Sequence, residues 1–220
     1  MNPLRSTFLC AIVAVITGGM TCSAAGQDDP ALPRVLLIGD SISMGYHAAT
    51  AAALKGKAVV QRPKTNCGPT IRGLQQLDQW LGQGKWDVIH FNWGLHDLKY
   101  IDQRGQRDLK GKQQVPPAEY EKNLQELVRR LKATGAVLIF ATTTPVPKGA
   151  SGRIPGDAAA YNKIAIKVMK ENGVSVDDLY ALATPQLDKI QRPANVHFTP
   201  EGSKVLAAQV ANSILKALKK

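Results

Sequence analysis

The sequence predicts an α/β fold: a parallel sheet of five strands, covered on both faces by helices, in three layers. Two observations carry this. Short apolar, β-branched runs recur along the chain with no polar alternation, as in strands buried on both sides. Longer stretches with helical periodicity lie between them, and strictly alternating strand and helix makes parallel strands joined by crossovers.

The first strand is Val35 to Ile38, and the chain then breaks at Gly39-Asp40-Ser41 to enter a helix. Ala58 to Gln61 gives a shorter second strand, Val88 to Phe91 the third, Val137 to Ala141 the fourth, and Val174 to Val176 a weak fifth. Tyr120, Leu124, Leu127, Val128 and Leu131 share one helix face, and Gly135 closes that helix. Tyr161, Ile164, Val168 and Met169 form a second stripe that Gly173 stops. The last helix follows Thr199-Pro200-Glu201, a cap, a first-turn proline and an acid at the positive helix end; its core face is Leu206, Val210, Ile214 and Leu218.

Ahead of this domain the pattern changes. Arg5, the apolar stretch Phe8 to Ile16 and the small residues Ser23-Ala24-Ala25 read as a secretory signal peptide over residues 1–25, cleaved after Ala25. Residues 26–33 form a short tail, and 34–220 form one domain. The apolar core is short for a membrane span. Cys22 offers a lipid anchor, but Gly19-Met20-Thr21 is a poor context for one. The expectation is therefore export to the periplasm or the cell exterior.

Two of the three cysteines fall in or beside that leader, so Cys67 stands alone and the fold rests on its core without a disulfide. One cysteine and four scattered histidines do not make a structural zinc site, and no cofactor motif is present. The net charge is +11, or +10 once Arg5 leaves with the leader. That reads as a solvated basic surface or as attraction to polyanions such as acidic polysaccharide or nucleic acid. The basic residues are spread out apart from a mild cluster at Arg104 to Lys112, and this argues against a nucleic-acid partner.

In a parallel α/β sheet, ligands bind beyond the carboxyl ends of the strands. Polar groups collect in those loops. Ser41 stands just past the first strand, at a helix start; it reads equally as a nucleophile, with its own N–H helping to hold an oxyanion, or as a helix cap. Gly68, in Asn66-Cys67-Gly68, lets backbone approach a ligand or simply turns the chain. Asn92, Trp93, Gly94, His96 and Asp97 crowd the end of the third strand: His96 as a donor or a structural histidine, Asp97 as a tie for the loop, Trp93 as a sugar platform or core packing. His90, within the strand, and His47, on the first helix, read as structural. His197, before the cap of the last helix, reads as a helix-flanking histidine or as a base that can reach Ser41 and take its proton.

Taken together, these loops resemble the SGNH or GDSL hydrolase superfamily of serine esterases and lipases. Gly39-Asp40-Ser41 resembles its first block, Gly68 falls where the second block's oxyanion glycine belongs, Gly94-Leu95-His96-Asp97 aligns with the third block's Gly-x-Asn-Asp, and Val196-His197 with the fifth block's Asp-x-x-His. The resemblance runs from about Arg34 to the C terminus. It implies a three-layer α/β/α, flavodoxin-like fold, Ser41 as nucleophile and His197 as base, an oxyanion hole from the N–H groups of Ser41 and Gly68 with the His96 side chain, and no metal or cofactor. Asp40, Asn92, Asp97 and Asn195 are the supporting residues.

Two positions depart from the family pattern. His96 replaces the oxyanion asparagine, whose donation an imidazole N–H can make; Asn92 is the alternative. Ala194 replaces the aspartate that would orient His197. The Asn195 amide, a backbone carbonyl, or an acid from elsewhere such as Asp97 or Asp178 must then hold the ring.

The resulting expectation is an exported esterase for short, acetyl-like acyl groups, acting through an acyl-enzyme, with acetylated polysaccharide as the substrate class the resemblance suggests. Trp93, Arg153 and the Thr142-Thr143-Thr144-Pro145 loop are candidates for shaping the substrate pocket. The polar, basic insertion from Lys99 to Gln114 is a groove wall for acidic glycan or a solvated flap. A noncatalytic carbohydrate-binding protein on the same fold, and a lipid esterase or acyltransferase using the same serine, are the alternatives.

Overall fold

The computed structural model describes Met1 and residues 32–219. The leader, its cleavage point and Cys22 lie outside the described residues.

Strand β1 (Arg34–Ile38) feeds helix α1 (Ser41–Ala53), followed by β2 (Val59–Gln61), α2 (Thr70–Leu81) and β3 (Val88–Phe91). A small hairpin, β4 (Tyr100–Ile101) and β5 (Lys112–Gln113), precedes α3 (Pro117–Lys132). Then come β6 (Val137–Ala141), α4 (Asp157–Asn172), β7 (Ser175–Asp177), two short helices α5 (Leu179–Ala183) and α6 (Leu187–Ile190), and α7 (Pro200–Ala217). The five sheet strands are all parallel, in the order β2-β1-β3-β6-β7. Counted along the sheet alone this is 2-1-3-4-5, the flavodoxin-like order, whose direction reverses between β1 and β3.

The apolar runs are strands because helices cover both faces. Val35, Leu37, Val88, Ile89, Phe91 and Phe140 have no solvent exposure. Helices α1 and α7 pack on each other in one layer, while α2, α3 and α4 form a row in the other. The helix ends follow local chemistry. Thr199 caps α7 by accepting from the Gly202 N–H. Gly173 ends α4 at φ +68°, where a Cβ would strain the turn.

The fifth strand sits one residue later than its apolar pattern suggests, because Asp177 belongs to it. This buried acid pairs with His90 Nε2 at 3.0 Å and accepts from Gln209 Nε2 at 2.8 Å. His90 is thereby a structural core residue. The 99–114 insertion is a hairpin docked on the body: the Tyr100 N–H donates to Gly152 O at 2.8 Å, and the Val115 N–H to Asp97 O at 3.0 Å. Among the described residues no helix is long and apolar enough to cross a membrane, and no group of acids, histidines and cysteines is arranged to hold a metal ion.

Candidate active site

The crevice at the carboxyl ends of β1 and β3 is where the sheet order reverses, and the polar loops meet there. At the end of β1, Gly39 leaves room for α1 to start tightly: a Cβ on it would lie 2.9 Å from Ser43 Cβ. Asp40, 3% exposed, is the helix cap, its Oδ1 accepting from the Ile42 N–H at 2.9 Å. The Ser43 hydroxyl donates to Asp40 O at 2.8 Å. Capping is therefore done by Asp40. Ser41 becomes the first residue of α1, with an N–H that the helix leaves unpaired and a hydroxyl free to point outward.

That hydroxyl meets His197. Ser41 Oγ lies 2.8 Å from His197 Nε2, although 156 positions separate the two residues. The other ring nitrogen, Nδ1, lies 2.7 Å from Asn195 Oδ1, which also accepts from the His197 N–H at 3.0 Å. An oxygen that accepts from the backbone N–H accepts from Nδ1 too, so Nδ1 carries the proton and Nε2 presents its lone pair to Ser41. Ala194 sits in the left-handed region at φ +51°, the one non-glycine residue with positive φ among those described, and this turn presents Asn195 to the ring. The acids considered as substitutes lie elsewhere. Asp97 Oδ1 accepts from the Thr70 N–H at 2.8 Å and its hydroxyl at 2.5 Å, and Asp178 caps α5 while accepting from Thr142 Oγ1.

Asp97 does tie the third loop, as its position suggests. Burial raises its carboxyl to about 7. His96 is half-buried, and burial lowers its ring to about 4, so at neutral pH it is an uncharged imidazole with one N–H to donate. Its ring forms no hydrogen bond among the described residues, and it lines a cavity of about 310 Å³ together with Ser41, Asn66 and His197. Gly68 needs a correction: its N–H is not free but donates to Asn66 Oδ1 at 2.9 Å. Asn92 is committed as well, its Nδ2 donating to Ala141 O at 2.7 Å across the sheet ends.

A sequence model of the GDSL-like lipase/acylhydrolase family matches residues 37–205. The chain belongs to this family. As a GDSL hydrolase it is a carboxylic ester hydrolase. No curated protein matches its sequence. Among solved structures it is similar to the lipase/acylhydrolase from Enterococcus faecalis, with 20% identity, 83% of this chain and 95% of that chain covered, and a TM-score of 0.69. It is also similar to an acetylxylan esterase from Geobacillus stearothermophilus (18%, 83% and 94%, TM-score 0.67) and to a second acetyl xylan esterase (16%, 82% and 99%, TM-score 0.65). At these identities the likeness is one of fold.

Two substrate expectations for this GDSL hydrolase are overturned by burial. Trp93 is 1% exposed; it packs on Phe91 at 5.8 Å between ring centroids and against Gly73, where a Cβ would come within 2.8 Å of its ring. It cannot stack on a sugar from there. The Thr142–Thr144 run is also buried, Thr143 bonding to Asn162 and Thr142 to Asp178, so it braces the end of β6 and does not line the cavity. Arg153 does line the cavity, 6% exposed, with its Nε donating to Leu95 O at 2.9 Å. Lining residues that the sequence does not single out as site residues include Ser151, Asn66, whose Nδ2 forms no hydrogen bond among the described residues, and Arg107 from the hairpin. Asn66 was visible in the sequence beside Gly68. Arg107 was one charge in a basic run until the hairpin docked. Ser41 and His197 also border a second hollow of about 720 Å³, along Ile42, Gly45, Ala49 and Phe198.

Proposed function

We propose that the protein is an exported serine esterase that removes short acyl groups, acetyl above all, from polysaccharide or its fragments. The single observation carrying this reading is the relay Ser41 Oγ–His197 Nε2 at 2.8 Å with Nδ1 held by Asn195 at 2.7 Å. His197 takes the Ser41 proton as the hydroxyl attacks the ester carbonyl. Asn195 fixes the tautomer as an aspartate would, but it is neutral and gives the imidazolium less stabilisation. The developing oxyanion lies toward the Ser41 N–H and the neutral His96 ring. The Asn66 amide, which lines the same cavity, is a third donor beside them. His197 then returns the proton to the leaving alcohol, and a water activated by the same ring releases the acid from Ser41.

Acetyl is favoured because the walls of the smaller hollow are polar, formed by Asn66, His96, Ser151 and Arg153, and offer little to a long alkyl chain. Two of the structural relatives carry acetyl xylan esterase in their names, which supports the same acyl group and a glycan carrier. Export rests on the leader sequence.

Hydrolysis of p-nitrophenyl acetate by the purified protein, beside Ser41→Ala and His197→Ala, tests the mechanism. Turnover in the native protein, reduced at least about 1,000-fold in each variant, is expected. Equal activity in all three rejects this nucleophile and base.

A further inference from the structure

The cavity beside Ser41 holds two arginines and no matching acid. Arg153 and Arg107 both line it, and neither forms an ion pair with any described residue. The fold brings them together through backbone. Tyr100 N–H donates to Gly152 O at 2.8 Å, and Arg107 bridges to Ile101 within the hairpin. Gly152, at φ +66°, is the position where no side chain fits: a Cβ would stand 2.9 Å from Arg107 Cβ. Arg153 uses Nε on Leu95 O and Nη1 on Ser151 O at 3.4 Å, and Nη2 forms no hydrogen bond among the described residues.

Positive charges outnumber negative ones around the cavity. Arg107 acts unfavourably on Arg153, and Arg153, Lys99 and Arg72 all act unfavourably on a proton at His96. Asp40 opposes them with a single negative charge, and it does not line the cavity. Burial and the neighbouring Arg107 lower the Arg153 guanidinium to about 10, the sign of a cation held without a close partner. Like charges in a partly dry hollow are costly, and an anion entering it removes that cost. A planar guanidinium matches a carboxylate in shape as well as in charge.

We infer that Arg107 and Arg153 form a carboxylate subsite beside Ser41, so that the ester this enzyme prefers carries a negative charge close to the scissile bond. The inference rests on the esterase reading and narrows its substrate. An acetylated uronic-acid glycan supplies that carboxylate on the sugar side, and the half-ester of a dicarboxylic acid supplies it on the acyl side.

Acid release is measured from acetylated galacturonate oligomers against acetylated xylo-oligomers, and from monoethyl succinate against ethyl butyrate. The native enzyme should favour the charged member of one pair by about tenfold or more in kcat/KM, and that pair identifies which side bears the carboxylate. Salt should shrink the preference. Arg107→Gln, on the exposed hairpin, should reduce the ratio several-fold, and Arg153→Lys should reduce it too. Equal turnover within both pairs, with Ser41-dependent hydrolysis of p-nitrophenyl acetate intact, overturns the subsite and leaves the esterase standing. Should no ester be hydrolysed, calorimetry of the native chain with galacturonate trimer and xylotriose decides independently. Selective binding of the acid, weakened by Arg107→Gln, upholds the subsite, and binding of neither or of both alike overturns it.

Discussion

Replacing Asn195 by alanine removes the oxygen that accepts from both the His197 N–H and Nδ1, at 3.0 and 2.7 Å. A hydrogen bond of this kind contributes about 0.5–1.5 kcal/mol net, which is roughly 2- to 12-fold in rate if it is needed in the transition state. Its loss also frees the ring to place its proton on Nε2, where it cannot accept from Ser41; that costs roughly a further factor of two in active tautomer. The expected result for Asn195→Ala is a fall in kcat of about 10-fold, with KM little changed. Asn195→Asp should act in the opposite sense. A carboxylate 2.7 Å from Nδ1 would favour the imidazolium. The value of kcat should then rise above that of the native protein, because the carboxylate stabilises the charge the ring gains as it takes the Ser41 proton. Steady-state kcat and KM of the three proteins on p-nitrophenyl acetate supply the measurement. If Asn195→Ala keeps native kcat and Asn195→Asp does not exceed it, Asn195 is not the group that orients His197.

Other consequences can be checked on the folded protein. The Asp97 carboxyl is raised by burial from 3.8 to about 7, so the folded chain keeps a proton that the unfolded chain has lost; its contribution to stability is present in acid and is lost as pH rises from about 4 toward 7. Asp97→Asn, which retains an acceptor for Thr70, should flatten the decline of Tm between about pH 4 and 7, and an unchanged slope would refute that origin. Gly39→Ala would force Ser43 and the start of α1 apart from a 2.9 Å contact, costing about 1–3 kcal/mol in denaturant unfolding together with a loss of kcat. Trp93→Phe should lower Tm while leaving KM for glycan esters within about twofold, since the ring sits in the core; a large rise in KM would put it back in the substrate site.

The sheet was legible because its strands are buried on both faces, which leaves unbroken apolar runs: Val88–Phe91 and Val137–Ala141 agree at both ends. The last strand was shifted because its final residue is an acid, and His90, two strands away in the sheet, together with Gln209 on α7, explains why Asp177 can be buried. The pairing of Ser41 with His197 was legible from loop positions at the strand ends, and so was Asn195 as one possible holder of the ring. Whether Ser41 caps its helix depends on where the Asp40 side chain turns, a local competition that residue types alone leave balanced. Trp93 reads alike as platform or packing until Gly73 is seen to receive it. Arg107 and Arg153 lie 46 positions apart, and the hairpin contact that unites them leaves no periodic trace in the sequence.

Central to this account is a hydroxyl at position 41 made nucleophilic by the imidazole of residue 197. Treatment with a fluorophosphonate, followed by digestion and mass spectrometry, reads this directly. The prediction is a single adduct on Ser41, forming at least about 100-fold more slowly in His197→Ala. An adduct on another serine, or labelling of Ser41 at the native rate without His197, would contradict it.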